Sequence, residues 1–241
     1  MKTLEMLSVV DDGSPACEEL RDYARWLAGE LGADTHAIAP DRVPTAGDGL
    51  VVAAGASAAA RAVVERSAAP VLLTPHAPAR RRPLWRAVVP LTGAPGADTA
   101  LAFAVGFAQR AGMQVIAVHV ADPHADAGSG LEGAAQYADA PHHEYPQQLE
   151  EFARRALPQC TLAERATLTE LVLCRGDVIA ELLTLVRERD ADLLVAGWQG
   201  RLARPGSRLL ERLSGALRCP LVIVKPVSHG PFRLRVGPAF E

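Results

Sequence analysis

Residues 191–226, ADLLVAGWQGRLARPGSRLLERLSGALRCPLVIVKP, read as strand, glycine loop, helix and strand. Leu193, Leu194, Val195 and Ala196 form a continuous apolar run, as expected of a parallel strand covered on both faces. Gly197 and Gly200 break the chain, and a connector from Arg201 to Pro205 leads to Gly206-Ser207, where a helix opens. Its Leu209, Leu210, Leu213 and Leu217 stand at three- and four-residue spacings, and Ser207 is the expected cap. Cys219-Pro220 ends that helix, and Leu221 to Val224 is a second buried strand. A glycine loop between a strand end and a helix N-terminus exposes backbone N–H groups and the positive end of a helix dipole, which suits a phosphate. Gly197, Gly200, Gly206, Ser207 and Arg208 are therefore candidate ligand-holding residues, with Arg201 or Arg204 adding charge. The alternative is that these glycines serve only a tight turn and close helix packing. Trp198 either stacks on an aromatic base or fills the crevice.

Working outward, the pattern has a fainter double. Leu7 to Val10 is a short strand running into Asp11-Asp12-Gly13-Ser14-Pro15, where Ser14 is the expected cap and Pro15 the first helical residue. Leu20, Tyr23, Ala24, Leu27 and Leu31 share one helical face, Gly32 stops the helix, and residues 33–39 make a second strand. Residues 86–120 repeat this order: Gly13, Pro15 and Gly32 fall on Gly93, Pro95 and Gly112, all at an offset of 80. Residues 48–55 resemble the strand at 192–197, and APVLLTP at 69–75 resembles CPLVIVKP at 219–226. The chain reads as two unequal copies of one α/β unit, the first lacking the glycine loop.

Within the second copy, residues 122–144 have no apolar period and read as a long loop. Pro146 starts an expected helix facing inward with Leu149, Phe152, Ala153 and Ala156, ending before Pro158. Thr169 to Cys174 is a strand, and after Arg175-Gly176-Asp177 comes a helix carrying Ile179, Leu182, Leu183 and Val186. Alternation of this kind predicts doubly wound parallel sheets. The expected domains are 1–78, a linker at 79–85, a fuller domain at 86–227 and a tail at 228–241.

On these residues the chain resembles the universal stress protein family, over 86–226 and, in reduced form, 4–76. Nucleotide-binding members carry glycine, two residues, glycine, nine residues, then glycine and Ser or Thr. Gly197-Trp198-Gln199-Gly200 matches the first half; only five residues then precede Gly206-Ser207, and the nine-residue position holds Leu210-Glu211. The resemblance implies a stress-response regulatory binding protein, not an enzyme, with ATP or another adenine nucleotide, with magnesium, as the ligand of the second domain. It implies an adenine pocket around Pro90, Leu91, Thr92 and Val120, with Thr92 where relatives place an aspartate; the first copy keeps Asp12. It also implies that Val71 to Thr74 and Leu221 to Val224 lie side by side as an intramolecular pseudo-dimer, with a homodimer as a further option. The alternatives are a ligand-free interaction or scaffold protein on the same fold and a slow ATPase.

Composition narrows the classes. Hydrophobic residues make up 49% and charged residues 22%, ordinary for a globular protein, and a net charge of −3 offers no field for nucleic acid. Arg80-Arg81-Arg82, between Pro78 and Pro83, reads as a solvated linker. With no span of roughly 20 apolar residues and an N-terminus that turns acidic, the expectation is a cytoplasmic protein. Cys17, Cys160, Cys174 and Cys219 are too scattered for a metal site and read as reduced thiols. Asp11-Asp12 could serve a phosphorylation receiver, but the next strand ends Val52-Ala53-Ala54 without a phosphoacceptor and no lysine follows Leu73. His124, Asp126, His142, His143 and Glu144 match no standard metal spacing, and Ser207 lacks a nucleophile elbow. His119 is expected to be packed or hydrogen-bonded.

Overall fold

The computed structural model describes residues 4–44, 49–55, 58–75, 83–91, 95–121, 154, 157–198 and 207–225. Apolar runs at Met6–Val10 (β1), Leu50–Ala54 (β3), Val71–Thr74 (β4), Arg86–Leu91 (β5), Leu193–Gly197 (β8) and Leu221–Val224 (β9) are almost wholly buried, as strands covered on both faces must be. With Asp34–Ile38 (β2), Gln114–Ala121 (β6) and Leu168–Arg175 (β7) they form one nine-stranded sheet of order β2-β1-β3-β4-β9-β8-β5-β6-β7. Every pairing is parallel except β4 with β9, where Val71, Leu72 and Leu73 run antiparallel to Ile223, Val222 and Leu221.

Alternate residues of each strand feed two cores. One holds Leu50, Val52, Val89 and Val222 against the helices Ala16–Leu31 (α1) and Pro95–Ala111 (α3). The other holds Val51, Ala53, Val88 and Leu221 against Ala58–Arg66 (α2), Val178–Glu188 (α5) and Ser207–Ala216 (α6). The architecture is three-layered α/β, with a short further helix, Leu162–Ala166 (α4).

The expected inner face of α1 is buried, and Gly32 stops the helix at φ 61°, a conformation few other residues adopt. Ser14 does not cap it. The helix begins at Ala16, and the Ser14 hydroxyl lies 3.7 Å from the Cys17 thiol rather than on a first-turn amide. The Cys17 N–H donates to the Ser14 backbone carbonyl oxygen at 3.0 Å, and the Asp12 carboxylate accepts the Ser14 N–H at 2.9 Å and the Cys17 S–H at 3.1 Å. In α5 it is Leu185, not Leu183, that is fully buried beside Ile179, Leu182 and Val186, because the sheet lies a little further round the helix than the apolar stripe alone suggests. The helix α4 was not foreseen; five residues are too few for a period, yet Thr161 and Glu164 form a reciprocal capping box that starts it. The expected loop at 122–144, the helix opening at Pro146, most of the linker and the tail lie outside the described residues.

The same backbone hydrogen bonds recur along the chain. Asp34 N–H to Glu5 C=O and Ala33 N–H to Ala28 C=O return, 80 residues on, as Gln114 to Trp85 and Met113 to Ala108. Gly55 N–H to Thr74 C=O, at 2.9 Å, has its counterpart in Trp198 N–H to Val224 C=O, also 2.9 Å. Where β8 approaches β5, buried Asp192 accepts from the Trp85 and Arg86 amides at 2.8 and 3.1 Å; the corresponding position before β3 is Gly49. No helix among the described residues is long and apolar enough to cross a membrane.

Candidate functional site

In an open parallel sheet the strand order reverses at one point, and the crevice beyond the carboxyl ends there is where a ligand fits. In the order β9-β8-β5-β6-β7, β5 is flanked by β8 on one side and β6 on the other, so the crevice lies beyond Leu91, Gly197 and the end of β6. The structure thus brings Pro90, Leu91, Val120, Gly197 and Trp198 to one end of the sheet. Thr92, Gly200 and Gly206 lie outside the described residues, as do the side chains of Ser207 and Arg208, although both of those residues stand in the first turn of α6.

The strand ends here are apolar: Pro90 is buried and Leu91 and Val120 are half-buried, Leu91 packing against the core on the α1–α3 side of the sheet and Val120 against the core on the other side. His119, in register with Leu91, places Nδ1 3.2 Å from the Leu91 carbonyl oxygen, as a hydrogen-bonded strand-end histidine should. The described ends of β5, β6 and β8 carry no carboxylate; Asp122, the next residue after β6, lies outside the described residues. The Trp198 amide is already held by Val224, so phosphate-holding amides have to come from residues after 198.

Trp198 itself is only 8% exposed and belongs to the core between the sheet and α2, α5 and α6. Its ring is therefore packed, and it is the filling role, not base stacking, that the geometry gives it. The Lys225 ammonium lies 5.8 Å from the ring centroid and donates to the Glu65 carbonyl oxygen in the last turn of α2 at 2.8 Å. Partial burial draws the lysine's pKa below its ordinary value, the Glu65 charge opposing this. Neither Lys225 nor Asp192 was singled out from sequence. The signal for Lys225 was present all the same, because only it and Lys2 are lysines among 25 cationic side chains.

The matching end of the first half looks different. Asp11 and Asp12 follow β1, and both carboxyls are held below the usual range. For Asp11 the chief cause is the Gly13 N–H, at 3.0 Å; for Asp12 it is hydrogen bonding from Ser14, then from the Cys17 thiol. Gly55 after β3 sits so close to β4 that a Cβ there would come within 2.3 Å of the Thr74 carbonyl oxygen. Cys17 and Cys219 are buried and Cys160 and Cys174 half-buried, all unpaired; burial pushes the Cys219 thiol up to about 12, which leaves it inert. No group of metal-ligating side chains occurs among the described residues.

A cleft of about 460 Å³ opens at the opposite, amino end of the sheet, lined by Arg86, Gln114, Glu170, Glu188 and Arg189. Across it the Arg189 guanidinium meets Glu170 at 2.5 Å, and Arg86 donates to the Arg189 carbonyl oxygen. It lies away from the switch point and is not the candidate site.

Residues 85–225 match the Universal stress protein family. Among solved structures, the chain is similar to a universal stress protein from Archaeoglobus fulgidus DSM 4304, with 14% identity, a TM-score of 0.59, and 93% of this chain and 99% of that one covered. It is also similar to a putative universal stress protein from Pseudomonas aeruginosa UCBPP-PA14, with 14% identity, a TM-score of 0.51, and 92% and 82% covered. At these identities the likeness speaks for the fold. No curated protein matches the chain.

Proposed function

Because the chain belongs to the universal stress protein family, we propose that it is a stress-response regulatory binding protein built from two copies of the family's α/β unit, the first one shortened. The copies meet through β4 and β9 as an intramolecular pseudo-dimer, which leaves neither strand edge open to other chains. The second copy takes an adenine nucleotide beyond the carboxyl ends of β5 and β8. The observation that carries this reading is the switch point beside β5, where the apolar strand-end residues Pro90, Leu91 and Val120 stand near the strand from which the glycine loop departs. The base would lie against these strand ends and residues 199–207 would hold the phosphates. Magnesium, if it comes with the nucleotide, would be held chiefly by phosphate oxygens and water. The reading requires no catalytic step; a slow ATPase would need a carboxylate at the site, and the described strand ends carry none.

A specific observation favours a second reading, a ligand-free scaffold. Trp198 is packed into the core, so the loop that follows starts from a filled strand end.

The test is to denature freshly purified protein, chromatograph the released small molecules for adenine nucleotides, and titrate the stripped protein with ATP and magnesium by calorimetry. Co-purified nucleotide, or micromolar binding lost in Gly200→Val, is the expected result. No nucleotide and no heat of binding would leave the scaffold reading in its place.

A further inference from the structure

The junction between the two halves is antiparallel, with Val71 of β4 opposite Ile223 of β9, so the start of β4 stands beside the end of β9. The helix α2 ends at Arg66, just before β4. The C-terminus of a first-half helix is thereby carried to the end of the sheet where the β5–β8 crevice of the second half opens. A helix C-terminus presents unpaired carbonyl oxygens and the negative end of its dipole, and a cation suits it. Lys225, the residue after β9, supplies one, donating to the Glu65 carbonyl oxygen at 2.8 Å. The same ammonium lies 5.8 Å from the centroid of the Trp198 ring. Trp198 in turn donates its amide to the Val224 carbonyl oxygen at 2.9 Å and leads directly into the glycine loop. The residue from which that loop departs is thus fixed by its backbone, by burial and by a cation anchored in the other half of the chain.

The opposite end of the junction is built differently. There Gly55 makes the matching amide bond to Thr74, and the residue after Thr74 is Pro75. Glycine offers no ring and proline no cation, so the matching positions cannot form such a tie. The link belongs to the end that carries the glycine loop.

We infer that Lys225 is a positioning residue for the ligand of the second half: it holds Trp198, and with it the start of the glycine loop, to the C-terminus of α2, so that the site depends on the first half of the chain. This rests on the nucleotide reading proposed above. Lys225 acts through Trp198 and does not itself touch the ligand. A loop whose first residue is already fixed loses less freedom when its amides close on a phosphate, and the smaller loss appears as affinity. An uncharged side chain at 225 gives up both the interaction with the end of α2 and the contact with the ring. On the other face of the sheet Arg110 donates to the Leu31 carbonyl oxygen of α1 at 2.9 Å, joining the same two halves without Trp198. It provides the control.

The experiment titrates the full chain with ATP and magnesium by calorimetry, as wild type, Lys225→Met, Lys225→Arg and Arg110→Ala. Lys225→Met should weaken binding by about fivefold or more, while Lys225→Arg, which keeps the charge, and Arg110→Ala, which loosens the junction elsewhere, bind as the wild type does. Wild-type affinity in Lys225→Met overturns the inference and leaves the nucleotide reading standing. Equal weakening in Arg110→Ala overturns it too, because the junction as a whole would then be responsible. If the wild type itself gives no heat of binding, both fall. The route is read in a chain carrying Trp26→Phe and Trp85→Phe, where the emission of Trp198 should change on adding ATP and Lys225→Met should abolish the change. ATP binding that leaves this emission unmoved shows that Trp198 does not connect the loop to Lys225, and the inference fails.

Discussion

The ends of β3 and β8 are the most instructive pair in the molecule. Each is followed by a residue whose amide donates to the last carbonyl of the neighbouring strand, Gly55 to Thr74 and Trp198 to Val224, both at 2.9 Å. The hydrogen bond is the same and the side chains are opposite extremes. At Gly55 there is no room for even a Cβ, whereas Trp198 fills a buried site and supports a cation from β9's end. A shared hydrogen-bond frame thus leaves the strand end free to be closed by backbone contact in one half and by an aromatic side chain in the other. The acids divide in the same way: the first half has Asp11 and Asp12 tied into their own turn, and the second has none at its described strand ends.

Three experiments press on this contrast. The largest effect is expected from Trp198→Ala, which removes a large buried side chain and should cost about 3 kcal/mol, read as a fall in the urea midpoint. A near-wild-type midpoint would mean that the ring is not part of the core, and would reopen base stacking. Next comes Gly55→Ala. Its new Cβ meets a backbone oxygen rather than a yielding side chain, so a loss of about 2 kcal/mol is expected. If alanine is tolerated there, the two strand ends differ less than their geometry says.

The smallest effect concerns acid. The Asp12 carboxyl sits below its ordinary value of 3.8 in the fold, so it contributes stability that is complete above that pH and is lost as the pH falls through the folded value. Asp12→Asn should therefore flatten the acid limb of the stability–pH curve below about pH 3.8, with no matching change in Thr92→Asn. An unchanged acid limb would show that the turn does not depend on the charge of Asp12.

Much of the architecture was legible because it follows from short-range rules. Apolar runs of four to six residues marked the central strands, Gly32 marked a helix stop that needs positive φ, and Asp177 after Gly176 marked the N-cap of α5, where its carboxylate accepts the Ala180 amide at 2.9 Å. The Ser14 cap failed for an equally local reason: the Cys17 amide donates to the Ser14 backbone carbonyl oxygen at 3.0 Å, and the Ser14 hydroxyl lies beside the Cys17 thiol. The helix α4 escaped because a single turn has no periodicity to detect. Of the candidate site residues named from sequence, the structure places Pro90, Leu91, Val120, Gly197 and Trp198 at strand ends on one side of the sheet. Sequence could not find Lys225 or Asp192, whose importance rests on partners 160 and 107 residues away.

By itself, then, the sequence determined which segments are strands and which helix faces turn inward, because periodicity, glycine and proline act within a few residues. Only the tertiary structure decided that Trp198 is packed rather than open, that Asp192 holds the start of β5, and that Lys225 joins β9's end to α2. These outcomes depend on which distant surfaces are pressed together, and burial and hydrogen bonding across such distances leave no periodic trace in the chain.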